Sequence, residues 1–342
     1  MTELSSAPVA LLSVTDLHVN FTSRWPQEPN IDVLRGVSFQ LHRGERVALV
    51  GESGAGKSLL ATSIIQLFDT SARIRHGSVE FEGQDLTQLK PKQLRQVRGR
   101  RIGMVFQDPM TNLNPSLTLE QQLLQCILSH RKISRAEARL VALHKLRQVH
   151  IPAPETRMRQ YPHQLSAGQL QRVTIAMALA LEPALIIADE PTSALDVTMQ
   201  AEIISLLTHL CHNNGVTLLL ISHDLSLVAH ASDRCLIMYA GQIVEQGQTK
   251  SLINDAQHPY TQNLIRALPQ MSQPGKTLYQ IPGQMPLGHE LGTQCAFANR
   301  CQHAFEDCWT QQPVTSITHD REVSCHLLNP ATVAIQSAES EP

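Results

Sequence analysis

The 342 residues carry a net charge of −2, with 42% apolar and only 4% aromatic residues. That length allows one large or two modest domains built around an aliphatic core, and the near-neutral charge argues against a general nucleic-acid binder, which carries a large positive excess. The longest apolar run, Val173–Ala188, is broken by Glu182 and Pro183, so no segment reads as a bilayer span. Met1–Ala10 has no basic stretch followed by an apolar one, so no secretory signal is expected. A cytoplasmic location follows, in which the seven cysteines are not expected to form structural disulfides.

In chain order, Leu11–Phe21 and Val33–Leu41 read as strands, joined by an irregular loop that holds Trp25, Pro26 and Pro29. Phe21 ends the first strand, where its ring either stacks on a base or fills core. Next comes Arg46–Val50, an apolar strand, and then Gly51-Glu52-Ser53-Gly54-Ala55-Gly56-Lys57-Ser58, the pattern G-x-x-x-x-G-K-S. Glycines at 51, 54 and 56 permit turns with positive φ, so the loop N–H groups can converge on a polyphosphate. A helix predicted over Lys57–Leu67 adds its positive N-terminal end. Lys57 is expected to reach the β- and γ-phosphates and Ser58 to hold Mg²⁺. The competing reading is a glycine-rich turn that binds nothing.

Beyond it, Gly77–Phe81 reads as a strand, Glu82-Gly83-Gln84 as a turn and Pro91–Arg98 as a short helix with proline early. The basic run Lys90, Lys92, Arg95, Arg98, Arg100 and Arg101 is read as a solvated face rather than a partner surface. Arg101–Phe106 is a strand that ends in Gln107-Asp108-Pro109. Helices are predicted over Thr118–Ser129 and from Ser134, an N-cap with Glu137 three residues on, to Val149. With the polar connector Ile151–Arg159, the stretch Thr111–Gln164 reads as a helical insertion. Ala167–Leu181 is a helix, Ala184–Ala188 a strand buried on both faces, Asp196–Cys211 a helix stopped by Asn213-Asn214-Gly215, and Val216–Ile221 a second buried strand that leads to Ser222-His223-Asp224. Alternating buried strands and helices point to a mostly parallel sheet. Arg234–Tyr239 and Gln242–Glu245 form a hairpin about Ala240-Gly241. After Gly247, Pro, Gln, His and Cys become common. Short helices are expected at Lys250–Asn254 and Tyr260–Ala267, then a loop-rich appendage from Leu268, with Ala331–Pro342 disordered.

A strand that ends in carboxylates is the natural partner of a phosphate loop, and Ile186-Ile187-Ala188-Asp189-Glu190 fits that role. Asp189 is expected to hold Mg²⁺. Glu190, one residue on, leans toward the space beyond the γ-phosphate and is the candidate general base. A helix N-cap is the alternative reading of the pair.

The segment Leu165-Ser166-Ala167-Gly168-Gln169 closely resembles the signature of ATP-binding cassette (ABC) proteins. Further motifs of that family follow in order. Gln107 resembles the glutamine that senses metal and water, Asp189-Glu190 the second nucleotide motif, Ser193-Ala194-Leu195-Asp196 the loop that crosses between subunits, and His223 the switch histidine at the γ-phosphate. The match spans about residues 11 to 250. It implies an α/β phosphate-loop cassette with a mostly parallel core sheet, an antiparallel β subdomain, a helical subdomain over about 111–182 and a small cysteine-bearing C-terminal appendage over 251–330.

It also implies an ATPase. Gly51, Glu52, Ser53, Gly54, Ala55, Gly56, Lys57, Ser58, Leu59 and Phe21 would bind nucleotide. Ser58, Gln107 and Asp189 would hold Mg²⁺. Glu190, His223 and Gln107 would serve hydrolysis. Ser166, Ala167, Gly168, Gln169 and Asp196 would act on the nucleotide of a second cassette in a head-to-tail pair. On physical grounds, the Ser166 hydroxyl, the Gly168 N–H and the helix dipole make an anion site. Two departures stand out: Ala167 replaces a glycine of the signature, and Leu59 replaces a hydroxyl on the α-phosphate, a loss of about 0.5–1.5 kcal/mol.

The tail narrows the resemblance. His258-Pro259-Tyr260-Thr261, Leu264-Ile265, Ala267-Leu268-Pro269, Ile281-Pro282-Gly283 and Asp108-Pro109-Met110-Thr111-Asn112-Leu113-Asn114-Pro115 resemble cassettes of dipeptide and oligopeptide importers. These work at the cytoplasmic face of the inner membrane with a second cassette, two permeases and an external solute-binding protein. Cys295, Cys301, Cys308 and Cys325 cluster in this tail without paired C-x-x-C spacing and suit a soft metal. The resemblance implies a [4Fe–4S] cluster, with zinc as second choice and reduced core thiols as third. Cys126, Cys211 and Cys235 read as core. A nickel or other small-solute importer is an alternative. A soluble cassette in translation or DNA repair is disfavoured, because there is one phosphate loop and no heptad run between Ser58 and Ser166.

Overall fold

The computed structural model describes residues 9–22, 30–68, 71–268, 279–286, 288–318 and 321–328. Trp25, Pro26, Pro29 and the Ala331–Pro342 tail lie outside these. The strands and helices in chain order are β1 (Leu12–Phe21), β2 (Ile31–Leu41), β3 (Arg46–Val50), α1 (Lys57–Ile64), β4 (Ala72–Phe81), β5 (Gln84–Asp85), α2 (Pro91–Val97), β6 (Ile102–Val105), α3 (Pro109–Asn112), α4 (Leu119–Leu128), α5 (Arg135–Gln148), α6 (Pro154–Arg157) and α7 (Ala167–Leu179). They continue as β7 (Leu185–Asp189), α8 (Val197–Asn213), β8 (Thr217–Ser222), α9 (Leu225–Val228), β9 (Arg234–Tyr239), β10 (Gln242–Gln248), α10 (Thr249–Asn254), α11 (Pro259–Arg266), α12 (Glu306–Thr310), β11 (Thr315–Thr318) and β12 (Arg321–Ser324). Two compact units emerge. One holds Gln40–Arg46 and Val79–Ile221 with the chain up to Ser13; the other holds Val14–Phe39, Val47–Ser78 and the chain from Ser222 on.

In the first unit β6, β7 and β8 are parallel, with Ile102 opposite Leu185 and Leu185 opposite Thr217. Every residue of β7 and β8 is buried, which is why both read as unbroken apolar runs rather than alternating ones. Gly103 is needed where β6 meets α7, since a Cβ there would lie 2.6 Å from the Ala178 carbonyl oxygen. The helices begin on side-chain caps. The Ser134 hydroxyl accepts from the Glu137 N–H (3.2 Å) while the Glu137 carboxylate accepts from the Ser134 N–H (2.8 Å), the reciprocal pair expected from the spacing. Thr118 and Gln121 do the same for α4. The polar connector Ile151–Arg159 contains a helical turn, α6. Of the basic run, Lys90, Lys92, Arg95 and Arg100 are exposed. Arg101 instead grips Glu82 through Nε (3.0 Å) and Nη2 (2.5 Å), with Arg43 on the same carboxylate at 2.7 Å. The Arg101 hydrogen bond, foremost, holds the Glu82 carboxyl below the usual range.

In the second unit β2, β1 and β4 are hydrogen-bonded neighbours in that order. β4 starts at Ala72, five residues before the expected Gly77; Arg73, Arg75 and His76 hide its first half from an apolar pattern. β3 pairs in parallel with β9, and β9 turns back into antiparallel β10 through Ala240 (φ 44°) and Gly241 (φ 81°). Two left-handed residues make the tight turn whose twist suits a hairpin. The tail is not merely loop-rich: β12 pairs antiparallel with β10 and β11 with β12. Only Val323 of Arg321–Ser324 is fully buried, so the strand shows little in sequence. An aromatic cluster lies within the largely aliphatic core of this unit. Tyr239, Tyr260 and Phe297 meet at centroid distances of 4.6, 5.2 and 5.4 Å and are all fully buried.

Candidate functional site

The phosphate loop lies in the second unit between β3 and α1. Gly54 (φ 85°) and Gly56 (φ 101°) take the left-handed conformation expected of them. Gly51 does not; it is required for a different reason, since a Cβ there would sit 2.2 Å from the Met238 carbonyl oxygen. Gly56 caps α1, which opens with Lys57 and Ser58. Lys57 is buried, and its Nζ donates to the Gly51 and Glu52 carbonyl oxygens at 2.9 and 3.0 Å. The ammonium is thus held over the loop, while Ser53, Gly54 and Ser58 are exposed and Leu59 half-buried. Phe21, at the end of β1, is half-buried.

Two residues whose role here sequence reasoning missed, Tyr260 and Arg300, converge on Glu52. Its N–H donates to the Tyr260 hydroxyl (3.0 Å), and its carboxylate accepts from Arg300 Nη1 at 3.1 and 3.0 Å. Arg300 also donates to the Tyr239 hydroxyl (3.3 Å) and, through Nε, to the Pro282 carbonyl oxygen (2.8 Å). Burial works against its charge, but the Tyr239 and Glu52 contacts outweigh this and raise its pKa. Burial likewise pushes the Tyr260 and Tyr239 hydroxyls up. Arg300 stands 248 positions from Glu52, so no local pattern could have announced the pair.

The candidate base lies in the first unit. Asp189 ends β7 and is buried; Glu190 follows with φ 42°, a left-handed conformation uncommon for glutamate, and its N–H donates to the Ile221 carbonyl oxygen at 3.0 Å. Gln107 Nε2 donates to Glu190 Oε2 at 3.4 Å, and the Ser193 hydroxyl donates to the Gln107 carbonyl oxygen at 3.4 Å. Gln107, Glu190 and Ser193 are therefore brought together. Asp196 caps α8 by accepting from the Met199 N–H (3.0 Å). In the signature, Ser166 caps α7: its hydroxyl accepts from the Gln169 N–H and the Gln169 side chain from the Ser166 N–H, both at 3.3 Å. Ala167 and Gly168 form the first turn. In the second unit, His223 is exposed at the end of β8, between Ser222 and Asp224, whose carboxylate caps α9.

All seven cysteines are free thiols; Cys211 and Cys235 are buried and Cys126 half-buried. Among the described residues no group of three or more His, Cys, Asp or Glu side chains is placed to hold a metal ion. Burial first, then Cys308 and Cys301, push the Cys295 thiol up to about 11, and burial with Cys295, Cys301 and Cys308 pushes Cys325 up to about 12.

The ABC transporter family model matches residues 34–193, and that for the oligopeptide/dipeptide transporter C-terminal region matches residues 244–308. The dipeptide transport ATP-binding protein DppD of Escherichia coli (strain K12) is 42% identical over 93% of this chain and 97% of its own length. Its Bacillus subtilis (strain 168) namesake is 44% identical over 93% and 94%. The oligopeptide transport ATP-binding protein OppD of the same organism is 40% identical over 96% and 92%. Among solved structures, a dimeric post-hydrolysis state of the cassette MJ0796 bound to ADP and Pi matches with a TM-score of 0.62 and 30% identity, over 70% of this chain and 98% of that one. The cassette cbiO1 of Clostridium perfringens matches with a TM-score of 0.61 and 27% identity, over 77% and 97%.

Proposed function

Because this chain belongs to the ABC transporter family, in its oligopeptide/dipeptide branch, we propose that it is the ATP-hydrolysing subunit that energises peptide import. Residues 1–250 form the cassette and 251–330 the extension. Its partners are a second cassette, two membrane permeases and an extracytoplasmic solute-binding protein, and its place is peripheral, on the cytoplasmic face of the inner membrane. Among the described residues no helix is long and apolar enough to cross a membrane, which fits borrowed spans. The observation that carries the reading is the Gly51–Ser58 loop, turned by left-handed Gly54 and Gly56 into the first turn of α1 with Lys57 held over it.

Lys57 and the loop N–H groups hold the β- and γ-phosphates, and Phe21 stacks on the base. Ser58, Gln107 and Asp189 would hold Mg²⁺, which would supply charge neutralisation at the phosphates. Glu190 takes a proton from the attacking water as it bonds to the γ-phosphorus and the bond to ADP breaks; Gln107 orients Glu190, and His223 contacts the γ-phosphate. In the paired cassette, Ser166, Ala167, Gly168, Gln169 and Asp196 close over the partner's nucleotide. Its binding energy thereby becomes a motion.

The Cys295, Cys301, Cys308 and Cys325 thiols are the ligands we assign to a [4Fe–4S] cluster. Support comes from the grouping of the four thiols in the extension, where Cys295, Cys301 and Cys308 all add to the upward push on the Cys325 thiol; zinc is the second choice. Reconstitution with the permeases and complementary cassette in liposomes tests the function: peptide with its binding protein should raise MgATP hydrolysis, and stimulation by nickel but not peptide would reassign the cargo.

A further inference from the structure

Glu52 is fastened at three points. Its carbonyl oxygen accepts from Lys57 Nζ, its N–H donates to the Tyr260 hydroxyl, and its carboxylate accepts from Arg300. Two of those partners belong to the segment after the cassette, and the third is the lysine assigned to the phosphates. The Arg300 side chain is 3% exposed and the Glu52 side chain 28%. Arg300 therefore carries a buried charge, and such a charge is tolerated only with a partner. It is aimed by its surroundings: Nε is tied to the Pro282 carbonyl oxygen, and the guanidinium carbon lies 5.7 Å from the Tyr239 ring centre and 6.0 Å from that of Phe297. Phe297 in turn packs on Tyr260, the residue that holds the Glu52 N–H. One aromatic block thus anchors both the arginine and the tyrosine that fix the second residue of the phosphate loop.

We propose that Arg300 is a positioning residue of the nucleotide site, through which the C-terminal extension holds the phosphate loop in its binding conformation. The proposal rests on reading Gly51–Ser58 as that site. Preorganising a loop lowers what its ordering costs on binding, so the clamp acts on affinity for nucleotide and not on the chemical step. Removing it raises KM and leaves kcat in place, the pattern of lost uniform binding.

The test uses the full chain, a fluorescent MgATP analogue, steady-state hydrolysis and amide hydrogen exchange of the loop. Arg300→Met should raise the Kd and KM for MgATP by roughly tenfold, the scale of one charge-assisted hydrogen bond. It should speed exchange across Gly51–Gly56 and leave kcat within about twofold. Arg300→Lys should recover part of the affinity. Glu52→Gln should weaken binding in the same direction, and the double variant should be no worse than Arg300→Met alone, because both act through one ion pair. Should Arg300→Met fail to fold, the half-buried Glu52→Gln decides, read against thermal stability. Unchanged KM and loop exchange in folded variants, additive losses, or a fall in kcat at constant KM would overturn the clamp. If Lys57→Ala abolishes nucleotide binding while Arg300→Met binds like wild type, only the clamp fails. If the wild-type chain binds no MgATP, the nucleotide reading fails and takes the clamp with it.

Discussion

The Gln107 side-chain amide donates to the Glu190 carboxylate across 3.4 Å, although 83 positions separate them. The same Gln107 offers its carbonyl oxygen to the Ser193 hydroxyl. Gln107 thus touches both the candidate base and the Ser193–Asp196 loop.

Glu190→Gln keeps the shape and removes the proton acceptor. Phosphate release should fall by about 10²–10⁴, the usual contribution of a general base. MgATP binding should persist, and a nucleotide-dependent pair with the complementary cassette should accumulate on gel filtration. Normal turnover by this variant would remove Glu190 as the base.

Gly51 and Gly215 separate two reasons for glycine. Gly51→Ala drives a methyl group to within 2.2 Å of the Met238 carbonyl oxygen and should cost about 1–3 kcal/mol of overpacking, along with MgATP binding. Gly215 has φ 63° and open space, so Gly215→Ala should cost about 1–2 kcal/mol and leave binding intact. Urea titrations with nucleotide-binding curves check both; equal loss of binding would place the cause elsewhere than the loop.

Much of this is legible in sequence because the deciding forces are local. The Gly51–Ser58 spacing, the apolar runs of β7 and β8, and the Ser134–Glu137 cap each declare themselves within ten residues. What stays hidden depends on distant partners. Gly51 reads as a turn glycine, and only the neighbouring Met238 carbonyl reveals the steric cause. β12 is stabilised by pairing with β10 rather than by its own pattern. Arg300 reads as an ordinary charge in a cysteine-rich tail until the fold brings Glu52 and Tyr239 to it.

Lys57→Ala removes an ammonium that holds the Gly51 and Glu52 carbonyl oxygens. MgATP affinity should fall by roughly 10²-fold or more, since charge-assisted hydrogen bonds to two phosphates vanish together. Isothermal titration measures this. Retained affinity would mean the loop N–H groups alone carry the nucleotide.

Anaerobically purified protein should contain about four irons and four sulfides per chain, by the stoichiometry of a [4Fe–4S] centre held by four thiolates. Cys308→Ser should lower both and bleach the charge-transfer absorption. Zinc alone at these thiols would reject the assignment.

His258 gives the fold a pH dependence of known sign. Its Nδ1 accepts from the Tyr260 N–H at 3.0 Å, its own backbone N–H donates to the buried Glu245 carboxylate at 3.0 Å, and burial pushes its pKa down to about 3. An unfolded histidine takes its proton near pH 6.5. Between about pH 6.5 and 3 the unfolded chain therefore holds more protons, and stability falls as pH falls, by about 1.4 kcal/mol per unit from this group. Above pH 6.5 its contribution is complete. His258→Asn keeps an N-cap acceptor for α11 and cannot titrate. Its unfolding free energy should fall less steeply between pH 6 and 4, by close to one proton's worth of slope. Denaturant titrations across that window measure the difference, and parallel slopes in the two proteins would show that His258 is protonated in the fold.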